Sequence, residues 1–381
     1  ATLRLVSQRL RREIRKEDLL VRLGGDEFVI LIPHGERDEA LAERVVEVLS
    51  RPFLVEGHIV NIGASVGIAR FPEHGQTPAD LLRHADLALY DAKSAGKRTW
   101  RMFAPALEIE ARTKRDLESD LRKALALGEL SLEYQPQLNL RTQTLTGFEA
   151  LLRWHHPVRG SVSPTVFIPV AEEIGYIVAL GEWVLKTACL EAARWPAPLR
   201  VAVNVSPRQL EDSQRLFRAV TGALEAAGLD PERLELEITE SSLMSMADSV
   251  LDTLHRFRAR GIRIAMDDFG TGYSSLGQLR SFPFSKIKID RSFITCLAQE
   301  ADAAAVVRAI AAMGAGLGMT TTAEGVETSE QAALVEADGC TDIQGYLISR
   351  PVPVSQIDSL LKLYNIVDDP TPATETESVP S

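Results

Sequence analysis

Arg263-Ile264-Ala265-Met266-Asp267-Asp268-Phe269-Gly270-Thr271-Gly272 decides the fold. Ile262, Ile264 and Met266 are apolar at every second position, the period of a strand. The strand ends in two adjacent acids, Asp267 and Asp268, and a glycine-flanked loop follows at once. Neighbouring carboxylates repel each other and lose hydration when partly buried. A fold keeps them at a strand end when a cation sits between them, and oxygen ligands of this kind suit Mg²⁺ or Mn²⁺. Asp and Gly are also ordinary turn formers, so a solvated turn is the simpler reading of this stretch taken alone. The surrounding chain reverses that preference.

From Leu130 to Asn365 one theme repeats: a short apolar strand, a polar residue at its end, a loop, then a helix. The strand ending at Phe148 runs into Glu149. Val201 to Val205 carries Asn204, after which Ser206 and Pro207 open a helix as cap and first-turn proline. Leu234 to Ile238 carries Glu237 and is followed by Glu240. Ile287 to Asp290 carries Lys288. Thr320 to Ala323 leads to Glu324 and Glu327, and Ile343 leads to Gln344. Successive markers lie roughly 20 to 55 residues apart, most near the ~30 of one strand–helix unit in an eightfold barrel. Such a barrel is an α/β fold that collects the C-terminal ends of its strands at one mouth. Glu149, Asn204, Glu237, Asp267, Asp268 and Glu324 would meet there. Five carboxylates and an amide are untenable together without cations; with two divalent ions they suit phosphodiester cleavage.

Glu149-Ala150-Leu151-x-Arg153 resembles the name motif of the EAL phosphodiesterases. Asn204-Val205-Ser206, Glu237-Ile238-Thr239-Glu240, Asp267-Asp268-Phe269-Gly270-Thr271-Gly272, Lys288-Ile289-Asp290, Glu324-Gly325-Val326-Glu327 and Gln344-Gly345-Tyr346 follow in that family's order. The resemblance covers about residues 117 to 363. It implies a modified TIM (β/α)8 barrel that hydrolyses cyclic di-GMP to linear pGpG with two Mg²⁺ or Mn²⁺ ions. Glu149, Asn204, Glu237 and Asp267 would hold one ion, and Asp267, Asp268 and Glu324 the other; Glu324 is also a candidate base. Lys288 would position the attacking water or steady phosphoryl charge. Arg153 would clamp a phosphate, Gln135, Gln344 and Glu327 would meet substrate, and Glu240 would anchor the Asp268–Leu276 loop. Ser285 departs from many relatives, which carry Asp there; a weakened loop contact or assembly surface is the expected consequence. Adjacent His155 and His156 read as packing residues, and Trp154, Trp183 and Trp195 as core.

Residues 1–103 read differently. A helix to about Arg15 precedes a hairpin over Val21 to Pro33 with a tight Gly24-Gly25 turn. A helix around Ala40 to Leu49, a strand Ile59 to Ala69 and a helix Ala79 to Ala95 complete a small α+β region. Arg22-Leu23-Gly24-Gly25-Asp26-Glu27-Phe28 resembles the signature of GGDEF domains, the diguanylate cyclases. Arg15-x-x-Asp18 is similar to that family's product-inhibition site, where an Arg pairs with a phosphate. The family's earlier strand, with another metal-binding Asp, has no counterpart here. The expectation is a partial, cyclase-inactive GGDEF domain.

The implied division is 1–104 for the partial GGDEF domain, 105–128 for a linker helix capped by Gly128, 129–365 for the barrel and 366–381 for a disordered tail. The net charge of −11 argues against a nucleic-acid polymer as partner. Cys189, Cys296 and Cys340 show no metal spacing and read as reduced thiols, consistent with the cytoplasm. No apolar run is long enough to span a bilayer, so no membrane contact is expected of this stretch. Helical spacing from the first residues suggests a start inside a domain, which leaves room for a membrane or sensor segment upstream. Family analogy adds a homodimer.

Overall fold

A computed structural model describes residues 1–33, 37–243, 248–270, 281–297 and 301–364. The chain divides into two compact units, Ala1–Leu117 and the residues from Glu118 onward.

In the first unit a helix Thr2–Glu13 packs Val6 and Leu10 against Leu41, Val45 and Leu49 of a helix Asp38–Ser50. The expected hairpin forms from β1 (Leu19–Gly24) and β2 (Glu27–Leu31), paired antiparallel with Gly25 at φ +47°. The run expected as one strand over Ile59 to Ala69 is two. β4 (His58–Val60) pairs antiparallel with β3 (Phe53–Val55), whereas β5 (Val66–Ile68) pairs parallel with β6 (Trp100–Met102). One apolar run serves two different partners, so its middle leaves both ladders. A helix Pro78–Ser94 packs on β5 so closely that a Cβ at Gly67 would lie 2.0 Å from the Ala85 carbonyl oxygen.

A helix spans Pro105–Ala124, within the 105–128 stretch expected as a linker. Gly128 follows at φ +71°, and Glu129 N–H bonds back to the Ala124 carbonyl, as an αL helix stop requires.

The second unit is a closed ring of eight strands: β7 (Leu130–Asn139), β8 (Leu145–His156), β10 (Arg200–Asn204), β11 (Leu234–Thr239), β12 (Arg263–Phe269), β13 (Lys286–Ile289), β14 (Thr320–Glu324) and β15 (Asp342–Gln344). Six pairings around the ring are parallel. β7 closes it by running antiparallel to both β8 and β15, which makes the TIM barrel a modified one. β9 (Gly160–Val162) and β16 (Val352–Pro353) extend the sheet beside β8 and β7. Strand residues alternate between the helices outside and the barrel interior. In β13, Ile287 and Ile289 join the apolar layer under the helices, while Lys286 and Lys288 point inward, all four buried. The main core is therefore the annulus between strands and helices, including Trp195 and Phe148. Trp154 is fully buried and donates to Glu129 Oε2 at 3.0 Å, and Trp183 packs on the core. His156 Nδ1 accepts from the N–H groups of Val158 and Arg159, its Nε2 lies 3.5 Å from Asp120 Oδ2 and its ring meets Trp154 edge-on, a packing role, whereas His155 is exposed rather than packed. All three cysteines are free, and among the described residues no helix is long and apolar enough to cross a membrane.

Candidate active site

Asp267 and Asp268 both reach the barrel mouth because β12 is bulged there. Ala265 and Met266 pair with Lys286 and Ile287, and Phe269 pairs with Ile289, so two residues face Lys288 alone. In a regular strand neighbouring side chains point to opposite faces; the extra residue of a bulge breaks that alternation. Asp268 takes the left-handed backbone at φ +54°, which Asp tolerates better than most residues. Carboxylate oxygens of Asp267, Asp268 and Glu324 lie within 4.8 Å of one another, close enough to share a cation.

Lys288 Nζ stands among the acids. It lies 2.7 Å from Glu237 Oε2, 2.7 Å from Glu324 Oε1, 3.0 Å from Asp267 Oδ1 and 3.4 Å from Glu149 Oε2. Glu149 is held from two more sides: Asn204 Nδ2 donates to its Oε1 and Gln344 Nε2 to its Oε2, each at 2.6 Å. These residues come from β8, β10, β11, β12, β13, β14 and β15, so strand ends distant in sequence converge at one mouth.

Four carboxylates surround one ammonium and a fifth, Asp268, stands beside two of them, which shifts their proton affinities. Burial alone would strip the proton from Lys288, but Asp267, Glu149, Glu237 and Glu324 outweigh it and hold the ammonium well beyond its usual range. Burial and the neighbouring Glu149 push Glu237 well up. Burial also raises Glu324, to about 8, against the pull of Lys288. Asp268 is raised by burial and by Asp267. For Glu149 burial is outweighed by Lys288 and the two donated amides, leaving it below the ordinary value. Glu237 Oε1 is buried with no hydrogen bond, and Asp267 Oδ1, though near Lys288, is not aligned for one. Orphaned buried carboxylate oxygens in an excess of negative charge are the donor set that a hard divalent cation takes.

The remaining expected residues have different surroundings. Glu240 Oε2 accepts the Gly270 N–H at 2.9 Å; the expected Asp268–Leu276 loop lies, from residue 271, outside the described residues. Gln135 lies inside the barrel, its Oε1 accepting from Gln344 Nε2 at 3.1 Å and its Nε2 donating to the Ser349 carbonyl. Arg153 is two same-face positions beyond Glu149 on β8 and pairs with Glu133 Oε2 at 2.6 Å. Glu327 is exposed, and the contact it shows is its backbone N–H to Gln331; the structure does not bring it to the acids. In the first unit Asp18 is bonded by the Arg37 guanidinium and by the Arg15 backbone N–H, while the Arg15 side chain is exposed. The expected 366–381 tail lies outside the described residues.

Ser285, expected at a loop contact or an assembly surface, is buried: its Oγ donates to the Ile264 carbonyl at 3.0 Å and accepts the Ile264 N–H at 3.2 Å. Three further interior residues escaped sequence reasoning. Lys286 Nζ lies 2.5 Å from Glu235 Oε1 and 2.9 Å from Gln137 Oε1, in a second polar layer beneath the first. The alternations Glu235-Leu-Glu237 and Lys286-Ile-Lys288 were the available signal: if one residue of each pair faces inward, so does the other.

The EAL domain family matches residues 118–351, and the family described as diguanylate cyclase, GGDEF domain, matches residues 1–99. The bifunctional diguanylate cyclase/cyclic di-GMP phosphodiesterase MucR of Pseudomonas aeruginosa is 43% identical over 358 residues, 92% of this chain and 52% of that protein. The cyclic di-GMP phosphodiesterase PdeR of Escherichia coli is 37% identical over 367 residues, 95% of this chain and 55% of that protein. The uncharacterized protein y4lL of Sinorhizobium fredii is 47% identical over 363 residues, 94% of this chain and 44% of that protein. The chain spans about half the length of these relatives. Among solved structures, the PaMucR phosphodiesterase in its c-di-GMP complex superposes with a TM-score of 0.61 at 44% identity, covering 64% of this chain and 99% of that one. The FimX EAL domain from Pseudomonas aeruginosa bound to c-di-GMP gives 0.56 at 26% identity, covering 62% and 96%. With two family matches in tandem, a closed barrel and acids at its strand ends, the chain belongs to the GGDEF–EAL proteins.

Proposed function

We propose that the barrel hydrolyses cyclic di-GMP to linear pGpG with two Mg²⁺ or Mn²⁺ ions. The observation that carries this is the convergence of Glu149, Glu237, Asp267 and Glu324 on one ammonium, with Asp268 beside Asp267 and Glu324 and with buried carboxylate oxygens left unbonded. Glu149, Asn204, Glu237 and Asp267 would hold one ion; Asp267, Asp268 and Glu324 the other. Paired divalent ions supply a more acidic water and neutralise phosphoryl charge. Lys288 supplies a fixed positive charge toward the developing phosphoryl oxygens, preorganised by the acids around it. Arg153 offers a planar donor fork to a substrate phosphate once it leaves Glu133. Gln135 and Gln344 would line the floor of the mouth, their amides bonded to each other and, through Gln344, to Glu149. Glu240 holds Gly270 and with it the start of the loop that leaves Asp268. The relatives named as cyclic di-GMP phosphodiesterases support the substrate.

The test is incubation of the chain with cyclic di-GMP and Mg²⁺ or Mn²⁺, followed by chromatography. Linear product supports the hydrolase. Tight binding without turnover makes the barrel a receptor, and neither result makes it a scaffold.

The GGDEF portion is proposed to be inactive as a cyclase. Asp26 and Glu27 are exposed on the β1–β2 hairpin, and among the described residues the acids grouped closely enough for a cation are Asp267, Asp268 and Glu324. Arg15 and Asp18 are proposed as a remnant dinucleotide site. Its mark would be a second binding event lost in Arg15→Ala. A homodimer is proposed by analogy and is read by sedimentation.

A further inference from the structure

Beneath the metal-site residues runs a buried chain of hydrogen bonds whose direction is fixed at both ends. Lys286 Nζ donates to Gln137 Oε1 at 2.9 Å, Gln137 Nε2 donates to Gln344 Oε1 at 2.9 Å, and Gln344 Nε2 donates to Glu149 Oε2 at 2.6 Å. All four residues are at most 6% exposed. An ammonium can only donate and a carboxylate can only accept, whereas an amide does both and can be turned either way. With Lys286 at one end, Gln137 must present its oxygen to it and its nitrogen to Gln344. Gln344 must then present its oxygen to Gln137 and its nitrogen to Glu149. Reversing either amide would set oxygen against oxygen or nitrogen against nitrogen among buried residues. Lys286 is itself pinned by Glu235 Oε1 at 2.5 Å, and Gln137 and Gln344 are direct partners across β7 and β15.

We propose that Lys286 and Gln137 are positioning residues: they set the polarity of the Gln344 amide and, through it, aim the Glu149 carboxylate at the metal site. This rests on the metal-site reading above. Outer partners that orient a ligand commonly change metal affinity by about 10–100-fold when removed.

Two variants test it. Gln137→Leu removes the donor to Gln344 without adding charge and leaves Lys286 paired with Glu235. Gln137→Glu keeps the shape and the Lys286 contact but cannot donate, so it draws the Gln344 amide nitrogen away from Glu149. The reading is Mn²⁺ affinity of the full chain by calorimetry, with melting in chelator as the check on folding. Both variants are expected to bind Mn²⁺ about tenfold more weakly. The extra charge of Gln137→Glu alone would tighten Mn²⁺ binding, so weakening in both assigns the effect to amide polarity. A folded variant of either kind with affinity within about twofold of the parent overturns the inference; should one fail to fold, the other decides. The parent chain measured in parallel separates the two ideas: no Mn²⁺ binding there removes the metal reading itself, whereas binding there with unaffected variants removes only the role of Lys286 and Gln137.

Discussion

Lys288 Nζ lies 2.7 Å from Glu237 Oε2, and both residues are 1% exposed. The pair sits where five acids converge, so the ammonium offsets only part of the negative charge. Removing it should therefore hurt chemistry more than cation binding. Lys288→Met is expected to lower turnover about 10²–10³-fold, the cost of losing one preorganised stabilising group. Mn²⁺ binding should be kept or tightened, because a competing cation has gone. Initial rates and Mn²⁺ titration on the same preparation give both numbers; a full rate would remove Lys288 from the mechanism.

Glu149 makes the opposite prediction. Lys288, Asn204 and Gln344 all converge on its carboxylate, and burial without those partners would raise rather than lower its affinity for a proton. Glu149→Ala should abolish turnover and weaken Mn²⁺ binding together. A retained rate would contradict its assignment as a ligand.

The pH dependence follows from Glu324. Its folded value is about 8 against an ordinary 4.5. Between those values the folded chain keeps a proton that the unfolded chain releases, so the unfolded state binds fewer protons and stability falls as pH rises. The contribution is complete below the ordinary value and is lost as pH climbs through about 8. Denaturation of the metal-free chain from pH 5 to 8.5 should show a slope more negative than that of Glu324→Gln by up to about 1.4 kcal/mol per pH unit. Cation binding displaces the same proton, so Mn²⁺ affinity should rise over this range. Parallel stability curves for the two proteins would refute the assignment.

Glu240 is buried and accepts the Gly270 N–H at 2.9 Å. Gly270 itself has φ +102°, and a Cβ there would lie 2.7 Å from the Phe293 ring, so the backbone has little room to adjust. Glu240→Gln retains an accepting oxygen and should keep most activity. Glu240→Ala loses it and should cost about 10–100-fold in turnover, as removal of an orienting partner commonly does. Equal rates for the two variants would show that the bond does not matter.

Much of the barrel was legible because its strand ends carry chemistry at a spacing close to one strand–helix unit. What stayed hidden depends on facing and partner rather than pattern. Lys286-Ile-Lys288-Ile alternates as a half-exposed strand would, yet both faces are covered, and its lysines point into a polar interior instead of to water. The bulge that aims Asp267 and Asp268 the same way is a register shift against β13, visible only once β13 is paired. The antiparallel course of β7 follows from its hairpin with β8. Ser285 looked like a surface departure because nothing in a single sequence shows that its hydroxyl closes on Ile264.

The lower layer yields a prediction about stability. Glu235 accepts from Lys286 at 2.5 Å and from Arg263 at 3.2 Å, and its carboxylate is 1% exposed. Burial opposes its ionisation, and Lys286 and Arg263 outweigh that and hold it charged. Taking away one partner of a buried pair strands the other charge at a cost of about 3–5 kcal/mol, whereas replacing both with apolar groups of similar volume is often close to neutral. Lys286→Met and Glu235→Leu should each destabilise the chain by about that amount in urea, and the double variant should recover most of it. Recovery would come with weaker Mn²⁺ binding, because nothing would then fix the Gln137 amide. If instead the double variant were less stable than both single ones, the pair would be contributing more by its attraction than it loses in dehydration, and the lower layer would be a stabilising element in its own right.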